Sequence, residues 1–236
     1  MLLELKNVDA GYGFLQVLRE ISFQIDKGEY VCLIGPNGAG KSTTLKTITG
    51  LLSPSAGQIL FNGEDIGGTR ADLVARKGIS YVSEEMNLFT NMTVHENLLL
   101  GAYAVKDKEK TLTRLDFVYD LFPRLLERKG QLSGTMSGGE RKMLAIARGL
   151  MSHPKMILVD EPSFGLAPQM TESVFEALKY LNQTQKLTIL VVEQNVTQTL
   201  GEVERGYVLE HGCITMDGTS EGLSGNEHIR RAYLGL

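Results

Sequence analysis

Two kinds of hydrophobic pattern divide this chain. In LLELKNVDAGY and VLREISFQID apolar and polar residues alternate, the period of a strand with one face in a core and the other in water. YVCLIG, MILVDE and TILVVE are instead unbroken apolar runs, as strands buried on both faces require. The first pair predicts an antiparallel β subdomain, and the three runs predict a mostly parallel central sheet. Helical spacing begins after Lys41-Ser42-Thr43 and recurs from Thr93 to Ala104. It returns from Lys110 to Phe122, where Leu112, Leu115, Val118, Tyr119 and Phe122 form one apolar stripe. Residues 66–154 hold no strand pattern stronger than GISYV and are rich in helix signals and charge, so they read as a mainly helical insertion. Turn glycines split GYVLEHGCITMDG into two short strands, and HIRRAYL predicts a short terminal helix. The expected fold class is α/β, a single domain over 1–236 whose core and β subdomain come from about 1–65 and 155–236.

Composition narrows this picture without redirecting it. A chain of 236 residues, 42% of them hydrophobic, can bury a full core. The formal net charge of −4 leaves no basic footprint, so nucleic acid is not expected as a partner. Cys32 and Cys213 are the only cysteines, without a CxxC or Cys/His cluster, which argues for a cytosolic compartment and against a disulfide or zinc scaffold. MLLELKNVDAGYG is charged and alternating from its start, unlike a signal peptide, and no run approaches the roughly 18 apolar residues of a membrane span.

The most specific chemistry lies in GPNGAGKST: Gly35, Pro36, Asn37, Gly38, Ala39, Gly40, Lys41, Ser42 and Thr43. It fits G-x-x-x-x-G-K-[ST], follows a buried strand and opens a helix, the context a phosphate-binding loop needs. Gly35, Gly38 and Gly40 permit turns that point successive N–H groups inward, and the helix adds its positive end. A triphosphate, ATP, suits this cradle: Lys41 reaches the β and γ oxygens, Ser42 holds Mg²⁺ and Thr43 adds a phosphate hydrogen bond. At the end of MILVDE stand Asp160 and Glu161, where parallel sheets collect ligand chemistry. By themselves two acids there read as a solvated strand end. Beside a phosphate loop, Asp160 suits the Mg²⁺ shell and Glu161 the attacking water.

MSGGERKMLAIARGL raises a separate question, since two glycines open a strong helix at a cost of roughly 0.5–1 kcal/mol each relative to Ala. Ser137 and Glu140 fit a capping box, which explains the helix start but not Gly138 and Gly139. Without side chains there, the amides and positive dipole lie open to an anion, such as the nucleotide of another subunit.

With these three motifs in this order, the whole chain resembles an ATP-binding-cassette ATPase subunit, with MSGGE at the place of the family's signature sequence. The resemblance implies a P-loop ATPase core and a head-to-tail dimer. Each ATP would lie between the phosphate loop of one subunit and Ser137, Gly138, Gly139 and Glu140 of the other. It also implies that Tyr12 stacks on adenine, although a strand-end tyrosine can be structural. Three positions depart from the general pattern: Glu84 stands where most members have a Gln that senses Mg²⁺, Ala167 where an Asp crosses the dimer, and Gln194 where a His touches the γ-phosphate. With EPSFGLAP, VVEQN and RRAYLGL, they resemble the ATPases of branched-chain amino acid importers, although ERK follows the signature glycines where EQQ is more usual. That branch implies permease subunits, a second ATPase subunit, an external substrate-binding protein, and a peripheral place on the cytoplasmic face of the membrane. Importers of urea or short amides have similar ATPases. A soluble regulatory ATPase of the superfamily fits less well, since the chain has one motif set, no sustained heptads and an acidic balance. A structural role for Gln194 would be capping the helix that begins at Asn195.

Overall fold

The computed structural model describes residues 1–233. The two alternating segments are β1 (Leu3–Tyr12) and β2 (Leu15–Ile25), which pair antiparallel. The unbroken run YVCLI is β3 (Tyr30–Ile34), fully buried, and it leads through the glycine-rich loop 35–40 into α1 (Lys41–Ile48). Then come β4 (Ala56–Phe61), β5 (Glu64–Asp65), α2 (Ala71–Lys77) and β6 (Ile79–Val82). The helical stretch holds α3 (Val94–Gly101), α4 (Lys108–Leu121), α5 (Pro123–Glu127) and α6 (Gly138–Leu150). The remainder alternates: β7 (Met156–Asp160), α7 (Pro168–Gln185), β8 (Thr188–Glu193), α8 (Val196–Leu200), β9 (Arg205–Glu210), β10 (Cys213–Thr219), α9 (Ser220–Gly225) and α10 (Glu227–Tyr233).

Two sheets result. One is antiparallel in the order β2-β1-β4-β5, and the other has the order β10-β9-β3-β8-β7-β6, parallel except for β10. Unbroken apolar strands serve two cores at once. Tyr30, Cys32 and Ile34 of β3 face the core shared with α3, α4, α6 and α7, while Val31 and Leu33 face the core shared with α1 and the antiparallel sheet. Ile157 and Val159 of β7, and Ile189 and Val191 of β8, divide from their neighbours in the same way. Side chains alternate across a strand, so a polar residue on either face would be buried against apolar neighbours. This accounts for the unbroken runs.

Two sequence expectations shift. Asp107 caps α4, whose helix begins at Lys108, and Leu112 is 59% exposed, so the buried stripe starts one turn later, at Leu115. The 18-residue α7, outside the pattern reading above, starts with Pro168 at its first turn and buries Thr171, Val174, Phe175, Leu178 and Leu181. Both cysteines are free. The terminal segment RRAYLGL enters α10, and its last three positions lie outside the described residues.

Candidate active site

The phosphate loop sits where β3 ends and α1 begins. Gly38 (φ 80°) and Gly40 (φ 111°) occupy backbone regions that side chains disfavour. Gly35 does not, which corrects the expectation that all three make turns: a Cβ there would lie 2.2 Å from the Leu209 carbonyl oxygen, so its smallness admits β9 against the loop. α1 has no side-chain cap and no acid in its first turn, so its positive end is offered to the loop without internal compensation. Lys41, 5% exposed, donates from Nζ to the carbonyls of Gly35 (3.0 Å) and Pro36 (3.3 Å).

The strand acids converge on this loop. Ser42 Oγ donates to Asp160 Oδ1 at 3.1 Å, and Lys41 Nζ lies 3.4 Å from Glu161 Oε1. Asp160 has a second partner that the motifs did not announce: the Tyr81 hydroxyl donates to Oδ2 at 2.9 Å from β6. Burial pushes the Asp160 carboxyl up, while Tyr81 and Ser42 pull it back. Burial and the charge of Asp160 push the Tyr81 phenol well above its ordinary value, so it remains a donor. Glu161 is only 9% exposed and adopts φ 43°, a left-handed conformation that costs a branched or long side chain on the order of 1–3 kcal/mol. Its N–H donates to Val192 O (2.9 Å), and its carbonyl accepts from Lys142 Nζ (3.1 Å).

Gln194 is exposed beyond β8 and shares a cleft of about 320 Å³ with Glu161, Ser163, Phe164, Glu193 and Asn195. Asn195, not Gln194, caps α8, through its bond from Gln198 N–H (3.3 Å). Buried Glu193 accepts from the amides of Ser163 (2.8 Å) and Gln194 (3.1 Å), tying the loop after Glu161 to the end of β8. Burial pushes this carboxyl up against those bonds. Glu84 is exposed and makes no hydrogen bond or ion pair among the described residues. Tyr12, 47% exposed, ends β1 at the hairpin tip beside Phe14. Ala167 is the N-cap residue of α7.

Among the described residues no hydrogen bond or ion pair joins Ser137, Gly138, Gly139 or Glu140 to the loop 35–43 of their own chain. The capping box is complete, with Ser137 accepting from Glu140 N–H and the Glu140 carboxylate accepting from Ser137 N–H (3.0 Å). Burial of Glu140 works against its charge, but Ser137 and the cations Arg128 and Arg124 outweigh it and hold the carboxyl below its ordinary range. The glycines divide in role. A Cβ on Gly139 would lie 2.6 Å from Met170 Cε and 3.1 Å from Met170 Cβ, so this glycine seats α6 on α7, whereas a Cβ on Gly138 would meet nothing within 4 Å.

The family model described as ABC transporter matches residues 18–164, more than half the chain. The chain is an ABC transporter ATPase domain. This ABC ATPase is 45% identical over 234 residues to the high-affinity branched-chain amino acid transport ATP-binding protein BraG of Pseudomonas aeruginosa, covering 99% of this chain and 100% of that one. It is 38% identical to the probable branched-chain amino acid transport ATP-binding protein LivF of Archaeoglobus fulgidus, covering 97% of each. Among solved structures it resembles a dimeric ATP-binding cassette in a post-hydrolysis state bound to ADP and Pi. That match has a TM-score of 0.81 and 26% identity, over 92% of this chain and 98% of the other. No helix among the described residues is long and apolar enough to cross a membrane.

Three residues escaped the motif reading. Tyr81 reaches Asp160 because β6 runs parallel beside β7 with Tyr81 opposite Leu158, a register no local pattern encodes. Lys142 and Glu193 did carry a signal: each is a charge on an otherwise buried face, Lys142 three and four residues from buried Ala145 and Ile146, and Glu193 at the end of a wholly buried strand.

Proposed function

We propose that this ATPase powers a membrane importer for branched-chain or other hydrophobic amino acids. The observation that carries the chemistry is the convergence of Lys41, Ser42, Asp160 and Glu161 at the carboxyl ends of β3 and β7. Backbone amides of residues 37–43 at the loop and the start of α1 hold the phosphates, and Lys41 exchanges its loop carbonyls for the β and γ oxygens. Ser42 and Asp160 offer only hard oxygen donors, with Glu84 on the loop after β6. This suits Mg²⁺, which takes one or two protein ligands and completes its shell with phosphate and water. When bound, Mg²⁺ would neutralise charge on the transferring phosphoryl group. Glu161 accepts the proton of the attacking water, and its left-handed turn aims the carboxylate back toward Lys41. Tyr12 offers its exposed ring to adenine.

A second subunit completes each site, a reading supported by the open space around Gly138 and by the lack of any hydrogen bond or ion pair from the signature residues to their own loop 35–43 among the described residues. Gly138 and the capped start of α6 would meet the partner's γ-phosphate. Permease subunits and an external binding protein belong to this reading, as does a peripheral place on the cytoplasmic face of the membrane. The names of the two branch relatives and the departures at Glu84, Ala167 and Gln194 support the cargo. Purification from native membranes should bring down integral permeases, and vesicles holding the complex should take up leucine, isoleucine or valine with ATP inside. Uptake of urea or short amides instead would overturn the cargo, and a wholly soluble set of partners would overturn transport.

Gln194 is assigned a positional part at the γ-phosphate, since an amide donates a hydrogen bond but gains no charge near neutral pH. Gln194→Ala should lower kcat about tenfold with ATP affinity little changed, because Asn195 already caps α8. Gln194→His should restore much of the rate and add a pH dependence between about 6 and 7. The check is the pH profile of kcat for the three proteins; an Ala variant as fast as the parent would remove Gln194 from the site.

A further inference from the structure

We infer that Lys142 is a positioning residue that holds the main chain of Glu161, and with it the carboxylate that faces the attacking water. This rests on the reading of Glu161 as the base. Lys142 lies on the inner face of α6 and is 1% exposed. Its ammonium donates at 3.1 Å to the carbonyl of Glu161, the residue whose left-handed turn sets the direction of the catalytic side chain. A conformation that side chains disfavour persists only where its surroundings fix it. Beside the side-chain ion pair with Lys41, the contacts that fix the Glu161 main chain are few: Glu161 N–H to Val192 O, Phe164 N–H to Glu161 O at 3.2 Å, and the Lys142 bond.

Burying an ammonium is costly, so a position on the buried face of α6, which also holds Ala145 and Ile146, is a poor place for Lys unless something local offsets it. Asp160, Glu193, Glu84 and Glu161 all act on it attractively. Burial still leaves its affinity for a proton below the ordinary value. The arrangement also links two ends of one helix. α6 offers its first turn to the partner's nucleotide and, from its second turn, grips Glu161 of its own chain.

The test compares Lys142→Met, which keeps length and loses the donor, with Lys142→Gln, which keeps a donor and loses the charge. Each is placed in the parent and in Glu161→Gln. Lys142→Met should lower kcat about tenfold while ATP affinity, read by nucleotide titration, stays within about twofold. Lys142→Gln should keep kcat within about threefold of the parent. In the Glu161→Gln background Lys142→Met should cost nothing further, since there is no base left to position. Lys142→Met leaves the buried carboxyls of Asp160 and Glu193 without this cation and should lower the melting temperature, so kcat is compared at a temperature where thermal melting shows every variant folded. A Lys142→Met protein at parental kcat, equal losses in Met and Gln, or an equal further loss in the Glu161→Gln background would each overturn the inference. A parent-like Lys142→Met beside an inactive Glu161→Gln defeats the inference alone, whereas an active Glu161→Gln defeats the base on which it stands.

Discussion

Glu161→Gln should bind ATP as the parent does and lose at least about a hundredfold in kcat, because the carboxylate is needed to take a proton and the amide cannot. The substitution keeps shape and volume, and the contacts that fix this residue, to Val192, Phe164 and Lys142, run through the main chain. Only the ion pair with Lys41 is lost, and Lys41 retains the Gly35 and Pro36 carbonyls. Bound ATP should therefore persist and hold two subunits together. Rapid-quench hydrolysis with gel filtration in ATP and Mg²⁺ reads both effects. Near-parental turnover would take Glu161 out of its role and leave it a buried ion-pair partner of Lys41.

Gly138→Asp carries the second large effect, and the structure makes it a cleaner probe than Gly139. Asp in the first turn of α6 favours the helix dipole by about 0.3–1 kcal/mol, and the open space around Gly138 accommodates the side chain. On structural grounds alone the variant should be as stable as the parent or slightly more so. If α6 meets the partner's γ-phosphate, however, a carboxylate there repels it, and ATP-driven dimerisation and hydrolysis should both fail while monomers still bind ATP. Gly139→Asp confounds the two causes, since any side chain there must displace Met170. Dimerisation of Gly138→Asp at parental ATP concentrations would reject the signature as a trans phosphate contact.

Much of the site was legible because its motifs are local. GPNGAGKST requires only a strand before it and a helix after it, and the chain supplies both within twenty residues. The Ser137 and Glu140 capping box forms within one turn. The alternating and unbroken apolar runs became the two sheets because burial on one face or two acts on each strand separately. Local pattern fared worse at Leu112, which fits the helix period yet is exposed, because the period says which residues share a face and not whether another element covers them.

The sequence by itself therefore determined the strand types, the strand–loop–helix around GPNGAGKST, the capped start of α6 and the pair of acids at a strand end, all set by backbone geometry and side-chain period over short spans. Tertiary structure alone decided that Tyr81 would hold one oxygen of Asp160 while Ser42 holds the other, since that contact needs the β6–β7 register. It also divided the two opening glycines, one pressed on Met170 and one open, and gave Gly35 its purpose against Leu209. It brought Lys142 across nineteen positions to the carbonyl of Glu161. These are contacts between elements distant in the chain, fixed by how two cores pack on opposite faces of one sheet, and no local period records them.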